Sequence, residues 1–360
     1  MPELSGLQLL PPEVELETKA VLKQLSRSHR YLAELKGYAG LLPNKDILVN
    51  AVTINESKDS SEIENIVTTH DQLYKAMAGT SQADPAAREV VNYRRALWRG
   101  YQLVQEKRSL TINIFKEIHK IILENDSGIR RVPGTKIINQ ASGEIVHTPP
   151  EYYDEIVRLL DNLEEYINAA GEETDPLIKL AVIHYQFEAI HPFYDGNGRT
   201  GRIINVLYLI LKELLDSPIL YLSRYIIANK AEYYRLLQRV SEDNNWEAWI
   251  DYILKAVEVT ARNTLKLARS INELVEEKAE ELKRELANIY SRELIDVIFN
   301  EFYTRISDVQ EGLEVTRKTA SNYLSQLEEI GLMKSEQVGR QKIYINRELL
   351  ELVKANNRQL

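Results

Sequence analysis

Cysteine is absent from this 360-residue sequence, and glycine is scarce. Without cysteine the chain has no disulfide, no zinc-thiolate site, no cysteine-ligated iron–sulfur cluster and no thiol nucleophile. Its 15 glycines compare with roughly 25 for a chain of this length at the average usage of about 7%. A place where glycines cluster therefore indicates a requirement of the backbone.

Long apolar runs are also missing, since no stretch approaches the ~18 residues needed to cross a bilayer. With 44% hydrophobic and 28% charged residues, we expect a soluble chain with no membrane segment. The first four residues lack the basic start and apolar stretch of a secretory signal, so we expect a cytoplasmic protein. The net charge of −9 argues against polyanion binding by the whole molecule, although a local basic patch remains compatible with it.

Apolar residues recur at helical spacing through most of the first 290 positions, as in Leu22, Leu25, Leu32 and Leu35. The exception is a pair of short extended runs, 136–139 and 144–147, about the turn 140–143. This pattern predicts a β-hairpin on a helical body. By pattern alone, an ordinary surface excursion is an equal alternative.

The C-terminal part has a different organisation. Residues 261–290 form a charged helical connector, followed by predicted helices at 292–302, 306–312 and 316–330 and a hairpin at 332–345. Three helices and a β-wing is the winged-helix order. The sequence thus predicts a mainly α fold with an N-terminal helical region (1–100), a core (101–260), the connector (261–290) and a winged-helix domain (291–360).

Three of the fifteen glycines, Gly196, Gly198 and Gly201, lie within the stretch 191–202. The run matches the dinucleotide fingerprint G-x-G-x-x-G, but the preceding segment 177–190 has helical rather than strand character. A Walker loop fails because Arg202 stands where lysine is required. What remains is a loop between two helices, whose amides at the second helix form an anion site.

Other residue types in this stretch indicate chemistry. Asp195 supplies a carboxylate for Mg²⁺, which takes one or two carboxylates beside phosphates. Arg199 and Arg202, three apart, can reach successive phosphates, and His191 can accept a proton at neutral pH. Taken singly, the histidine is more often structural, the aspartate a helix cap and the arginines a solvated face. As a set they favour nucleotidyl transfer to a hydroxyl.

The stretch 191–202 matches, at every defined position, the Fic motif H-P-F-x-D/E-G-N-G-R-x-x-R. The chain also resembles Fic proteins at 10–12, 221–225, 232–234 and 246–250, so the likeness covers roughly the first 260 residues. The resemblance implies a Fic helical fold. It also implies an enzyme that transfers AMP from ATP, with Mg²⁺, to a Ser, Thr or Tyr hydroxyl of a protein target.

The resemblance further implies roles for individual residues. His191 would be the base, Asp195 the magnesium ligand and Phe193 a core anchor, while the hairpin would be a flap (134–150) that pairs with the target backbone. Ile138 or Val146 would flank the nucleotide. The nucleotide-binding set would comprise Gly196, Asn197, Gly198, Arg199, Thr200, Gly201, Arg202, Tyr233 and Tyr234, with Arg202 on the γ-phosphate and the tyrosines near adenine.

Residues 60–65 fit the family's inhibitory-helix motif S/T-x-x-x-E-G/N. The resemblance implies that Ser60 and Glu64 are inhibitory and that Glu64 pairs with Arg202 in place of a phosphate. The alternative is a capping box formed by Ser61 and Glu64 at the start of a helix. Alone, the motif favours the cap, whereas beside an intact Fic loop it favours inhibition.

The segment 316–327 resembles a winged-helix recognition helix. Arg317, Lys318, Ser321 and Asn322 would face a DNA groove, and Arg340 and Lys342 on the wing would touch phosphates. Residues 291–360 hold ten basic and eleven acidic residues, so DNA binding and protein contact, including a homodimer, both stay open.

We therefore expect an AMP-transferring enzyme whose partners are a protein target and the chain itself. Two alternatives remain open: a nucleotide-sensing transcriptional regulator that binds DNA, and a variant that transfers UMP or phosphocholine or removes AMP.

Overall fold

The computed structural model describes residues 6–69, 72–73, 76, 84–138, 145–171, 174–338 and 341–357. Elements are numbered within those residues. They are α1 (Lys19–Leu41), α2 (Lys45–Ile63), α3 (Pro85–Lys107), α4 (Ile112–Leu123), β1 (Ile137–Ile138), β2 (Ile145–His147), α5 (Tyr153–Asn168), α6 (Pro176–Ile190), α7 (Asn197–Leu211), α8 (Ser223–Ala228), α9 (Lys230–Asp243), α10 (Trp246–Glu285), α11 (Arg292–Asn300), β3 (Tyr303–Arg305), α12 (Ile306–Gly312), α13 (Arg317–Glu329), β4 (Lys334–Val338), β5 (Gln341–Ile345) and α14 (Arg347–Asn357).

Polar side chains begin several of these helices by accepting a free amide of the first turn. Thr18 accepts from Val21 N before α1, and Thr111 accepts from Ile114 N before α4. Asp175 caps α6, and Pro176 occupies its first position, where a missing N–H has no cost. The boundaries therefore follow local sequence signals.

Helix α6 lies at the centre of the core. Every residue from Leu177 to Ile190 is buried, because α5, α7 and α10 pack around it. A helix that is apolar on all sides is stable only in such surroundings. The loop that joins α6 to α7 is thus anchored at both ends by buried helices.

Strands β1 and β2 pair antiparallel, with Ile137 opposite His147 and Ile138 opposite Ile145. Both lie within the predicted hairpin runs, and β2 contacts α9. The turn 140–143 and the side chains of Ile138 and Val146 lie outside the described residues.

The C-terminal elements follow the predicted helix, helix, helix, hairpin order with two additions. Strand β3 forms a three-stranded antiparallel sheet in the order β3-β5-β4, and α14 follows the hairpin. The prediction of a mainly helical fold with a small sheet is confirmed. Neither the three-residue strand β3 nor the helix α14 was predicted, although Leu349, Leu350 and Val353 of α14 recur at helical spacing.

The predicted boundaries at residues 100 and 260 fall inside α3 and α10. Helix α10 continues without a break through the predicted connector, because its apolar side packs along α1. The C-terminal elements also contact the N-terminal ones: Asn50 Nδ2 of α2 donates to Asn300 O (2.8 Å), and Arg94 pairs with Glu301 (2.6 Å).

Within the described residues, none of the helices combines the length and the apolar character that crossing a bilayer requires.

Candidate active site

Left-handed backbone shapes both ends of the loop between α6 and α7. His191 ends α6 with φ 48°, and its amide donates to Phe187 O (3.0 Å). Gly196 precedes α7 with φ 74°, a conformation that favours glycine. Asn197 fastens the loop between them, since its side chain both accepts from Phe193 N and donates to Phe193 O, each at 2.9 Å. Asn197 therefore shapes the loop from inside.

The loop's apolar anchor is Phe193, which is buried and stacks on His119 with ring centroids 3.9 Å apart. His119 Nε2 lies 2.9 Å from the backbone oxygen of Asp195, and Thr200 Oγ1 donates to Gly196 O (2.8 Å). These contacts hold the backbone of Asp195 while its carboxylate remains 76% exposed. The carboxylate is thus presented to solvent on a rigid support.

His191 is held from behind by Arg130, a fully buried side chain. Arg130 Nε donates to His191 O (2.7 Å), and Nη2 donates to Ile190 O (3.2 Å) and to Pro150 O. The pKa of His191 is lowered to about 4, mainly by burial and also by the charge of Arg130. A hydrogen bond with the Glu188 backbone and the charge of Glu64 oppose this decrease. At neutral pH the imidazole is therefore uncharged, the form that accepts a proton.

Arg199, in the first turn of α7, is buried but pairs with acids near the surface. Its Nη1 donates to Glu89 Oε2 (2.6 Å), and its Nη2 lies 3.7 Å from Asp195 Oδ1. A cation with exposed partners can exchange them for another anion at low cost.

Arg202, one turn later, is held by the end of α2. Its Nε donates to Ser60 Oγ (2.8 Å), and its Nη2 donates to Ser60 O (2.8 Å) and to Glu64 Oε1 (2.9 Å). Burial by itself would raise the pKa of Glu64, but the charge and hydrogen bond of Arg202 outweigh it and leave this pKa lowered. Glu64 is therefore ionised at neutral pH and occupies the guanidinium.

The end of α2 tests the capping-box interpretation of residues 60–65. Ser61 lies inside the last turn and donates to Ser57 O (2.8 Å), while Glu64 follows the helix as its C-cap. The capping-box interpretation is wrong, because that motif requires a helix to begin at Ser61. Helix α2 ends at Ile63, with Glu64 as its C-cap, because the next residue, Asn65, adopts a left-handed conformation with φ 63°.

Two loop glycines are explained by close neighbours. A Cβ at Gly198 would collide with Glu64 Oε1 and lie 2.9 Å from Arg202 Nη1. A Cβ at Gly201 would lie 2.6 Å from Glu188 Oε1, on the side of α7 that faces α6. Gly198 therefore faces the arginine pocket, whereas Gly201 makes room for a side chain of the core.

His191 and Arg202 open into one cavity of about 710 Å³. Tyr233 and Tyr234 form another wall, with ring centroids 5.2 Å apart, and Lys230 Nζ donates to Ile63 O (2.6 Å) at the end of α2. The lining residues are Ile63, Glu64, Asn65, Ile137, Glu188, His191, Gly198, Arg202, Lys230, Ala231, Tyr233, Tyr234 and Leu237. A space of this volume with aromatic and cationic walls suits a nucleotide.

The cavity gathers some of the residues that the sequence singled out but not others. It brings together Glu64, His191, Gly198, Arg202, Tyr233 and Tyr234. Gly196, Asn197, Thr200 and Gly201 support the loop, and Ser60, Asp195 and Arg199 lie beside the cavity without lining it. Of the proposed DNA-contacting residues, Arg317, Lys318 and Asn322 are exposed and Ser321 is half-buried on α13, while Arg340 lies outside the described residues.

Sequence reasoning missed Arg130, Glu188, Lys230 and Glu89. Glu188 gave one signal, a lone acid in an otherwise apolar helix. The other three approach the loop from distant positions in the chain, and nothing local marked them.

Three family models match the chain in succession. Residues 22–102 match the Fic/DOC family N-terminal model, 109–209 match the Fic/DOC family model, and 274–349 match the C-terminal domain of SoFic-like protein adenylyltransferases. Between them they cover most of the sequence, including the inhibitory motif and the loop.

Curated relatives are similar over part of their length. The protein adenylyltransferase fic-1 of Caenorhabditis elegans is 27% identical over 161 residues, which are 44% of this chain and 29% of that protein. The probable protein adenylyltransferase aq_aa38 of Aquifex aeolicus is 28% identical over 180 residues, 49% of this chain and 54% of that protein. The chain thus spans between about a third and a half of these relatives.

Solved structures share the fold. A Fic family protein from Desulfovibrio desulfuricans G20 superposes with a TM-score of 0.58 at 20% identity, covering 93% of this chain and 98% of that one. Fic-1 from C. elegans superposes with a TM-score of 0.53 at 20% identity, covering 69% of this chain and 74% of that one.

Proposed function

This chain belongs to the Fic family, and on that basis we propose that it transfers AMP from ATP to a Ser, Thr or Tyr hydroxyl of a protein. The observation that carries the proposal is the convergence of His191, Gly198 and Arg202 on one cavity. The relatives named protein adenylyltransferase support the same reaction.

In the proposed reaction His191 removes the proton of the target hydroxyl, because burial keeps its imidazole in the neutral form. The hydroxyl oxygen bonds to the α-phosphorus of ATP, and the bond from that phosphorus to the bridging oxygen breaks, so pyrophosphate leaves. Backbone amides at the start of α7 stabilise the charge that develops on the α-phosphate. Arg199 and Arg202 hold the outgoing phosphates.

The residues present fit magnesium as a companion of ATP. Mg²⁺ is usually held by one or two carboxylates together with substrate phosphates, and Asp195 offers an exposed carboxylate at the loop. The described residues contain no cluster of three or more metal-ligating His, Asp or Glu side chains, as expected for an ion that arrives with its nucleotide. When bound, it would neutralise phosphate charge.

Autoinhibition is part of the proposal. Glu64 and Ser60 occupy the guanidinium of Arg202, so a γ-phosphate has to displace Glu64 before it can bind there. Since Glu64 is ionised and charge-assisted hydrogen bonds are strong, the closed arrangement competes with productive ATP binding.

Labelled ATP and intact mass together test the reaction. We expect Glu64→Gly to raise protein-bound label, including label on the chain itself, and His191→Ala to abolish it. A mass gain of one adenylate identifies the transferred group, whereas a uridylate or phosphocholine mass would identify a variant chemistry. Loss of adenylate from a modified protein would indicate AMP removal. Equal labelling by the parent and Glu64→Gly would contradict autoinhibition by Glu64.

A second candidate function is duplex DNA binding by the C-terminal elements. The observation in its favour is the exposed surface of the first two turns of α13, where Arg317, Lys318 and Asn322 face solvent. Lys342 is already engaged by Glu328 (3.1 Å), which limits the charge available from the wing. A salt-dependent mobility shift of duplex DNA that Arg317→Ala weakens would support this function, and no shift at low salt would exclude it.

A further inference from the structure

Glu188 is a buried acid inside the cavity that the proposed reaction does not use. It lies in the last turn of α6, three residues before His191, and it is 7% exposed. Its Oε1 atom is enclosed and has no hydrogen-bond partner among the described residues. A buried polar atom without a partner is costly, so an unpaired carboxyl in a binding cavity points to a missing ligand group.

The carboxyl is fixed in place beside the arginine pocket. Gly201 provides the space, since even one added carbon there would lie 2.6 Å from Glu188 Oε1. Both Glu188 and Arg202 line the cavity, and each influences the pKa of the other. A ligand group that reaches Arg202 therefore also comes close to Glu188.

Charged and titratable groups face Glu188 from every neighbouring element. They are Glu64 after α2, His191 in the loop, Arg202 on α7, and Lys230, Tyr233 and Tyr234 on α9. Burial is the main reason that the pKa of Glu188 is raised to about 7; the charge of Arg202 opposes this increase and the charge of Glu64 contributes to it. Both the neutral and the ionised form of the Glu188 carboxyl are therefore populated near neutral pH.

Only the neutral form is compatible with a polyphosphate. An ionised carboxylate has acceptors alone, as do phosphate oxygens, so the two would repel without forming a hydrogen bond. A protonated carboxyl carries one O–H donor and no net charge. It can therefore satisfy a phosphate oxygen directly beside the guanidinium.

We propose that Glu188 binds the nucleotide as a neutral carboxylic acid that donates a hydrogen bond to the outer phosphates next to Arg202. This inference rests on the proposed function, because it assumes that a nucleoside triphosphate occupies the cavity. Binding the nucleotide then favours proton uptake by Glu188, so affinity is highest below the pKa of the free protein and falls as the pH rises through it.

The test compares ATP affinity across pH in a protein without the Glu64 contact. The dissociation constant for Mg²⁺-ATP is measured by calorimetry from about pH 6.5 to 8.5 for Glu64→Gly and for Glu64→Gly/Glu188→Gln. We expect it to rise by about fivefold or more in the first protein, since each pH unit is worth at most about tenfold per titrating group. The amide donates at every pH, so the double variant should change less.

Two controls isolate the effect. Titration of ATP itself and of His191 is common to both proteins, and the matched double variant Glu64→Gly/Glu232→Gln, changed on the exposed face of α9, should behave like Glu64→Gly alone. AMP, which lacks the outer phosphates, should bind both proteins with the same pH dependence.

Parallel pH dependence of ATP binding in the two proteins would overturn the proposal, as would a double variant that folds but no longer binds ATP at low pH. Failure of Glu64→Gly to bind ATP at every pH would overturn it together with the proposed function. ATP binding without any transfer would contradict the proposed function alone and leave the role of Glu188 intact.

Discussion

Arg199 and Arg202 lie one turn apart on α7 and are both almost fully buried, yet they are held by different kinds of partner. Arg199 reaches outward to Glu89 and Asp195, whose side chains are 38% and 76% exposed. Arg202 reaches inward to Ser60 and Glu64 at the end of α2. Both arginines thus reach another helix, Arg199 through Glu89 on α3 and Arg202 through the end of α2, but only Arg202 has a fully buried partner, Ser60, whose place water cannot easily take.

The largest difference between the two arginines should be in stability. Arg202→Met keeps the apolar volume but leaves Ser60 and Glu64 without their cation, and we expect it to lower the free energy of unfolding by about 3 kcal/mol. Arg199→Met should cost about 1 kcal/mol or less, because Glu89 and Asp195 can be hydrated. Urea unfolding of both variants measures this, and equal losses would remove the distinction.

The second-largest difference should appear in labelling activity when the acid that holds each arginine is replaced. Glu64→Ala frees Arg202, and a hydrogen bond between charged groups is worth about 1.5–3 kcal/mol, so labelling should rise roughly 10- to 100-fold. Glu89→Ala frees Arg199 outside the inhibitory contact and should give no such rise. The measurement is the initial rate of labelling with labelled ATP. A comparable increase in both variants would show that the contact of either arginine with its acid limits activity.

Ser60→Ala should give a smaller change in the same direction. It removes the hydroxyl that accepts from Arg202 Nε, but the Ser60 carbonyl and Glu64 remain. A loss of about 1 kcal/mol corresponds to about a fivefold gain in labelling. Unchanged labelling would mean that the hydroxyl only orients α2.

The smallest expected effect is the acid limit of the Arg202 contact. Arg202 outweighs burial and lowers the pKa of Glu64 below 4.5 in the native state. The contact therefore contributes its full stability at pH values above the pKa of the unfolded chain. This contribution is lost as the pH falls through the lower pKa of the native state. The difference in unfolding free energy between parent and Glu64→Gln should therefore shrink below about pH 4.5. In an Arg202→Met background the pH dependence should reverse, because burial alone raises this pKa, and an unchanged dependence there would assign it to another partner.

The residues of the loop could be predicted because their roles are set by a contiguous stretch. His191, Gly198 and Arg202 follow one another within twelve positions, and the cavity gathers all three. Glu64 could be predicted as a motif, but its helix position could not, since the local signals of a helix start and a helix end overlap at Ser61. The structure shows that α2 continues through Ser61 to Ile63 and ends before the left-handed Asn65.

Other features depended on contacts that a linear pattern does not contain. Asn197 and Gly201 lie among glycines that the sequence predicts to bind phosphate, yet the Asn197 side chain holds the loop together and Gly201 leaves space for Glu188. Arg130 precedes the loop by about sixty positions and reaches it through the fold. The predicted boundaries at 100 and 260 fall within the continuous helices α3 and α10.

Gly198 limits the mutational routes by which this chain could escape the proposed inhibition by Glu64. A side chain there would push against Glu64 and, at the same time, against Arg202 and the space where the proposed phosphates would lie. Selection for variants without this inhibition should accordingly recover changes at Glu64 or Ser60 and leave position 198 unaltered. Any side chain at position 198 that displaced Glu64 would also obstruct the binding of phosphates.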